Sequence, residues 1–273
     1  MANNSENSII LFPEVSALQE EIEKLRTEWS MLLLERDELT YTICKNIETK
    51  YMLLFGGLEY KALELDWEYR CLRRKIELIQ ARKNRQERII LADIEATVEK
   101  EFAEYQKRLD DQLRKMNEAL ERKNARVLSQ EESTELKKRY RAVVKALHPD
   151  LHGDLTPAQA RLFHNAVEAY KNGDLEGMRI IHELVSGSAV PEPTAGGWSA
   201  LKEEKARMAE LVRLVRERVE EIKREYPYIL LPLIESEERI AEKKAELEDT
   251  IVQLKRACEI YRSRWEEMLR QIV

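Results

Sequence analysis

From Val15 onward, apolar residues recur every three or four positions: Val15, Leu18, Ile22, Leu25, Trp29, Leu32, Leu39 and Ile43, with only Arg36 interrupting. That spacing puts a narrow seam along one face of a helix. A second run is equally regular: Ile47, Tyr51, Leu54, Leu58, Ala62, Leu65, Tyr69, Leu72, Ile76 and Ile79. It is out of register with the first by one residue, because Ile43 demands position 46 or 50, which are Asn46 and Lys50. The slip predicts a break near 44–46, with the Asn46 side chain capping the next helix, and two antiparallel helices joined there. Gly56-Gly57 lies inside the second run. Each glycine costs about 1 kcal/mol in a helix interior, yet the seam keeps its phase through them, which places the pair within the helix at a close crossing. A third stripe, Ile90, Ile94, Val98, Phe102, Tyr105, Leu109, Leu113, Met116 and Leu120, extends this helix to about residue 125, on the order of 100 Å at ~1.5 Å per residue. Its phase drifts, as expected for a stretch that packs against something other than the first helix.

Towards the C-terminus, "SGSAVPEPTAGG" (Ser186 to Gly197) reads as a linker. Trp198 to Arg224 is then helical, with Leu201, Met208, Leu211, Val215, Val219 and Ile222 on one face. The two prolines of "YPYILLP", Tyr226 to Pro232, end it. The last helix repeats Leu247, Ile251, Leu254, Cys258, Tyr261, Trp265, Met268 and Ile272. The expected architecture is all-α, with elongated antiparallel coiled-coil hairpins flanking a small helical finger. Its parts are a flexible N-terminus over 1–13, a hairpin over 14–128, a module over 129–185, a linker over 186–197, and a hairpin over 198–273 turning near 226–233. The hairpins can pair with each other in one chain or across a homodimer.

Composition agrees with rods. Charged residues make up 36% of the 273 and aromatics only 7%, with 8 Gly and 7 Pro, a mixture typical of long helices. The 46 basic and 52 acidic residues leave a net charge of -6, which gives no global attraction to nucleic acid or anionic lipid. Cys44, Cys71 and Cys258 are odd in number, far apart and without CxxC spacing, which argues against a disulfide framework or a cysteine zinc site and suits a reducing compartment. The apolar run at the N-terminus spans only Ile9 to Phe12, and no stretch approaches the ~18 apolar residues of a membrane span. A cytoplasmic protein is expected.

The pattern changes between Ser129 and about Val185. Ser129 and Glu132 form a capping box at a helix start. The helix that follows gathers Leu136, Tyr140, Val143, Val144 and Leu147 on one arc, and Lys137, Lys138, Arg141 and Lys145 on the next, with no acidic residue from Leu136 to Leu147. Pro149 stops the helix and biases His148 away from helical geometry. After the loop "HPDLHGDLTP", a second helix from Ala158 to about Tyr170 carries Leu162, Phe163, Ala166, Val167 and Tyr170. The result is a small antiparallel finger with a positive stripe and a rigid polar tip.

"YRAVVKALHPD" followed by "FHNAVEAY" resembles the J domain of DnaJ-type co-chaperones, in which a basic helix, a His-Pro-Asp loop and a helix with an F…EAY signature follow one another. The likeness covers roughly Ser129 to Met178. It implies a protein that binds a DnaK-type (heat shock protein 70) chaperone in its ATP state and stimulates ATP hydrolysis, without an active site of its own and without a cofactor. Carried over by position, His148, Pro149 and Asp150 are the triggering loop. Lys137, Lys138, Arg141 and Lys145, with Tyr140 on their border, dock on an acidic patch of the partner, and Leu136, Val143, Leu147, Phe163, Ala166 and Tyr170 hold the finger together. A charge stripe of this kind steers encounter, and Asp150 can engage a basic group in a charge-assisted contact. The family's short first helix is missing; "ERKNARV" stands there, and the end of the long upstream helix is expected to pack in its place. The coiled coils then serve oligomerisation or tether an unidentified client.

Other readings are weaker. His148, Asp150, His152 and Asp154 alternate along a loop, an arrangement that rarely converges on a metal, and His164 beside Phe163 reads as an exposed or half-buried residue. Phosphate contact by the basic stripe meets a short stripe on an acidic chain. Neither a Gly-rich phosphate loop nor a nucleophile elbow appears, so an enzyme is not expected. The main alternative is a coiled-coil scaffold whose J-like finger does not activate a chaperone.

Overall fold

The computed structural model describes residues 13–124, 128–186 and 198–271. Residues 1–12 of the expected flexible N-terminus, 187–197 of the expected linker, 125–127 ahead of the finger, and Ile272 of the last seam lie outside the described residues. Every regular element among the described residues is helical, so the fold is all-α. The chain divides into two compact units, Met1–Cys44 with Arg126–Tyr228, and Lys45–Ala125 with Ile229–Val273.

Helix α1 spans Pro13–Glu38 and α2 spans Cys44–Asn84, and between them Leu39–Ile43 is a π-helical turn, not a break. The Cys44 N–H donates to the Leu39 carbonyl, five residues back. A π turn takes one residue more than an α turn. It therefore absorbs the one-residue slip between the two apolar runs, and Leu39 and Cys44 bury into one cluster. The hairpin expected at 44–46 is absent, and Asn46 does not cap a helix: its Oδ1 accepts from Arg122 at 3.2 Å.

In the first unit, α8 (Trp198–Arg224) lies beside α1. Ion pairs Glu28–Arg216 and Glu35–Lys223 advance by one heptad on both helices, so the two run parallel. Leu18, Ile22, Trp29 and Leu33 of α1 and Met208 and Val212 of α8 share one core with the finger. The finger consists of α5 (Gln130–Leu147), α6 (Pro157–Asn172) and α7 (Leu175–Ser186), packed mutually.

In the second unit, α2 does not run on to residue 125. Residues 80–88 contain a single apolar residue, Ala81, so a continuing helix would have nothing to bury. The chain turns at 85–90, with Gln86 at φ 55°. It returns as α3 (Leu91–Glu101) and α4 (Ala103–Asn124), separated by Phe102 at φ -105°, ψ 11°; this interruption underlies the drift of the third stripe. Arg74–Glu101, Glu59–Gln112 and Asn46–Arg122 contacts show an antiparallel return. Short α9 (Leu231–Glu235) leads into α10 (Glu237–Arg270), which lies parallel to α2: the Cys258 thiol donates to the Leu65 carbonyl at 3.3 Å, and Arg262 pairs with Glu68. Thus α8 and α10, expected to form a hairpin together, pack against α1 and α2 respectively, because each finds its complementary seam there.

Candidate functional site

The finger is built as its caps require. Glu132 N–H donates to Ser129 Oγ at 3.1 Å and Ser129 N–H to Glu132 Oε2 at 2.8 Å, starting α5. Thr156 and Gln159 exchange the same kind of bonds to start α6, with Pro157 at its first position. Gly173, at φ 66°, ends α6 in the left-handed conformation glycine favours. Helix α7 follows, and its Leu175, Met178, Ile181 and Val185 bury against α5 and α6. Arg179 grips Glu135 through two bonds of 2.9 and 2.7 Å, and these, with Arg139, hold the Glu135 carboxyl down at about 2.

At the tip, α5 stops as expected. His148 is extended (φ -68°, ψ 129°), and its carbonyl accepts from Leu151 and His152 N–H at 3.0 Å each. Its Nδ1 accepts from Asp150 N–H at 3.1 Å, and His152 Nε2–H donates to the Lys145 carbonyl at 2.9 Å, closing the helix end. The His148 ring stands edge-on between Trp29 (4.5 Å between centroids) and Phe163 (5.0 Å). Only 12% of its side chain is exposed against 55% for Asp150. Burial outweighs the attraction of Asp150 and lowers the imidazole pKa to about 4, so the ring is neutral at pH 7. Pro149 is exposed.

The basic stripe is divided. Lys138 and Lys145 are exposed, and Lys137 and Arg141 are half-buried. Lys137 pairs with Glu38 of α1, and Lys145 lies 3.8 Å from Glu23. Tyr140, expected at the border of an exposed surface, is instead buried. Its ring stacks on Tyr170 at 4.2 Å, and its hydroxyl donates to Asp37 Oδ2 at 2.7 Å. Desolvation and the Asp37 carboxylate push the phenol pKa upward. Asp37, itself buried, also receives Arg36 Nε at 2.8 Å on its other oxygen. On α8, Arg207 donates to the Asp150 carbonyl at 2.6 Å.

The partner helix of the finger is therefore α1, where the end of the upstream helix was expected. Sequence reasoning missed Asp37, Glu38 and Arg207 and assigned Trp29 only to the seam. The sole available signal was the interruption of that seam by Arg36, immediately before Asp37. No group of three or more His, Cys, Asp or Glu among the described residues could hold a metal ion, and no described helix is long and apolar enough to cross a membrane. No family model, curated protein or solved structure matches this chain.

Proposed function

We propose that the chain is a J-domain co-chaperone that binds a DnaK-type chaperone and stimulates its ATP hydrolysis, with its coiled coils positioning a client or partner. The observation that carries this reading is the tip of the finger. Pro149 and Asp150 project from the junction of antiparallel α5 and α6, with exposed Lys138 and Lys145 on the flank. An exposed carboxylate on a loop closed by its own hydrogen bonds, with exposed cations on the preceding helix, suits recognition of a mixed-charge protein surface. The test is single-turnover ATP hydrolysis by such a chaperone with the wild-type protein and with Asp150→Asn. Stimulation of severalfold that the variant loses supports the reading. No stimulation, with the chaperone responsive to another J protein, removes it.

A second reading has its own support. His148 is wedged between Trp29 and Phe163, and Tyr140 is bonded to buried Asp37. Both belong to a core, which favours a scaffold in which the finger braces α1 and α8 and activates nothing. Under that reading Asp150→Asn is silent in every chaperone assay.

A further inference from the structure

Descending α1, the residues Glu38, Asp37, Trp29 and Glu23 meet Lys137, Tyr140, His148 and Lys145 of the finger. The acidic side of one helix thus covers one edge of the basic face of α5. From α8, Arg207 reaches the Asp150 carbonyl, while Glu204 pairs with both Arg207 and Arg26 of α1. Lys138 lies outside this cover and remains exposed.

Resting on the co-chaperone reading, we propose that α1 is a built-in latch: its acidic residues occupy the cationic edge of α5 in place of the acidic surface of the chaperone, and full docking requires Glu38 and Glu23 to release Lys137 and Lys145. Two physical constraints lead there. A cation paired within the chain must give up that pair before it pairs with a partner, and a partner that reaches Lys137, Tyr140 or His148 collides with α1. The outer pairs are suited to release. Lys137–Glu38 and Lys145–Glu23 are both partly exposed, and such pairs hold weakly and are screened by salt. An acidic partner landing on Lys138 competes for the same cations from outside.

The test uses the full chain carrying Glu23→Lys with Glu38→Lys and, separately, Arg207→Ala, which removes the clamp on the loop together with the exposed pair to Glu204. Hydrogen exchange is followed at the Asp150, Leu151 and His152 amides, and single-turnover ATP hydrolysis is measured at sub-saturating protein. Exchange and stimulation are both expected to rise about threefold or more, the scale set by reversing weak exposed pairs, and adding Lys137→Glu to Glu38→Lys is expected to slow exchange again. Faster exchange with stimulation no greater than that of an active wild type overturns the latch and leaves the co-chaperone reading standing. Unchanged exchange in both variants overturns it too, since the acidic residues then hold nothing closed. Silence of the wild type and of variants whose loop has opened, beside a chaperone that answers another J protein, overturns the co-chaperone reading and the latch together.

Discussion

Tyr140 and Tyr170 stack on each other, yet their hydroxyls differ. That of Tyr140 satisfies buried Asp37, whereas that of Tyr170 is buried with no hydrogen-bond partner among the described residues. Losing a bond to a charged group costs roughly 1.5–3 kcal/mol, while losing an unsatisfied hydroxyl costs nothing and can stabilise. Tyr140→Phe is therefore expected to destabilise by about 2 kcal/mol in urea unfolding, and Tyr170→Phe to be neutral or stabilising; equal losses would contradict the hydrogen-bond assignment. His148 supplies a pH dependence. Its pKa lies near 4 in the fold against about 6.5 for the unfolded chain, so between these values the unfolded state binds the extra proton. Stability from the neutral ring is complete above about pH 6.5 and declines as pH falls towards 4, by on the order of 2–3 kcal/mol. Unfolding of His148→Gln across that window should show a visibly flatter slope than wild type; an identical slope would mean the ring is not desolvated.

Among the elements, the paired glycines of α2 divide in role. A Cβ on Gly56 would stand 3.0 Å from Met116 Cγ, whereas one on Gly57 would meet nothing within 4 Å among the described residues. Gly57→Ala should therefore gain about 0.5–1 kcal/mol from helix propensity and reduced unfolded-state freedom, while Gly56→Ala should gain less because Met116 must shift. Thermal melts of the two variants decide this. The π turn makes a sharper prediction. Thr40 is exposed within it, and deleting Thr40 leaves an α turn that carries both seams in phase. The deletion should keep helicity and cooperative unfolding by circular dichroism, whereas deleting one residue from the second run should lose them by turning that seam away from its partners.

For the whole molecule, the partners of α1 are mostly distant in sequence: Glu28 and Glu35 pair with residues 188 positions later. A chain ended at Ser186 would lack α8 and bare the apolar seam of α1, including Met208's neighbours in the shared core. Sedimentation should find it self-associated, because an exposed apolar stripe seeks a second helix; a stable monomer would show that the finger alone covers α1. The helix pairings within each unit also account for the way the expected hairpins resolved. Each long seam found a complementary one, but in the pairings α1 with α8 and α2 with α10, where adjacent helices had been expected to fold back on each other.

Local signals decided much of this protein. The cap at Ser129, the stop at Pro149, the apolar stripes and the all-α class follow from interactions within a few residues, and so were readable along the chain. The turn at 85–90 is present in the sequence only as a gap between stripes, which spacing alone does not distinguish from a polar stretch of one long helix. Other features depended on which surfaces meet. A heptad seam specifies a buried face but carries no address for its partner, so the pairings of α1 and α2 emerged only in three dimensions. The slip near residue 44 could have been a turn or a wound-in residue, and the buried pairing of Leu39 with Cys44 settled it as a π turn. Likewise the stripe from Lys137 to Lys145 appeared uniformly solvated because the acidic residues that cover part of it lie about a hundred residues earlier. Only tertiary packing, which sums weak distant complementarities, brought Asp37, Glu38 and Trp29 to the finger.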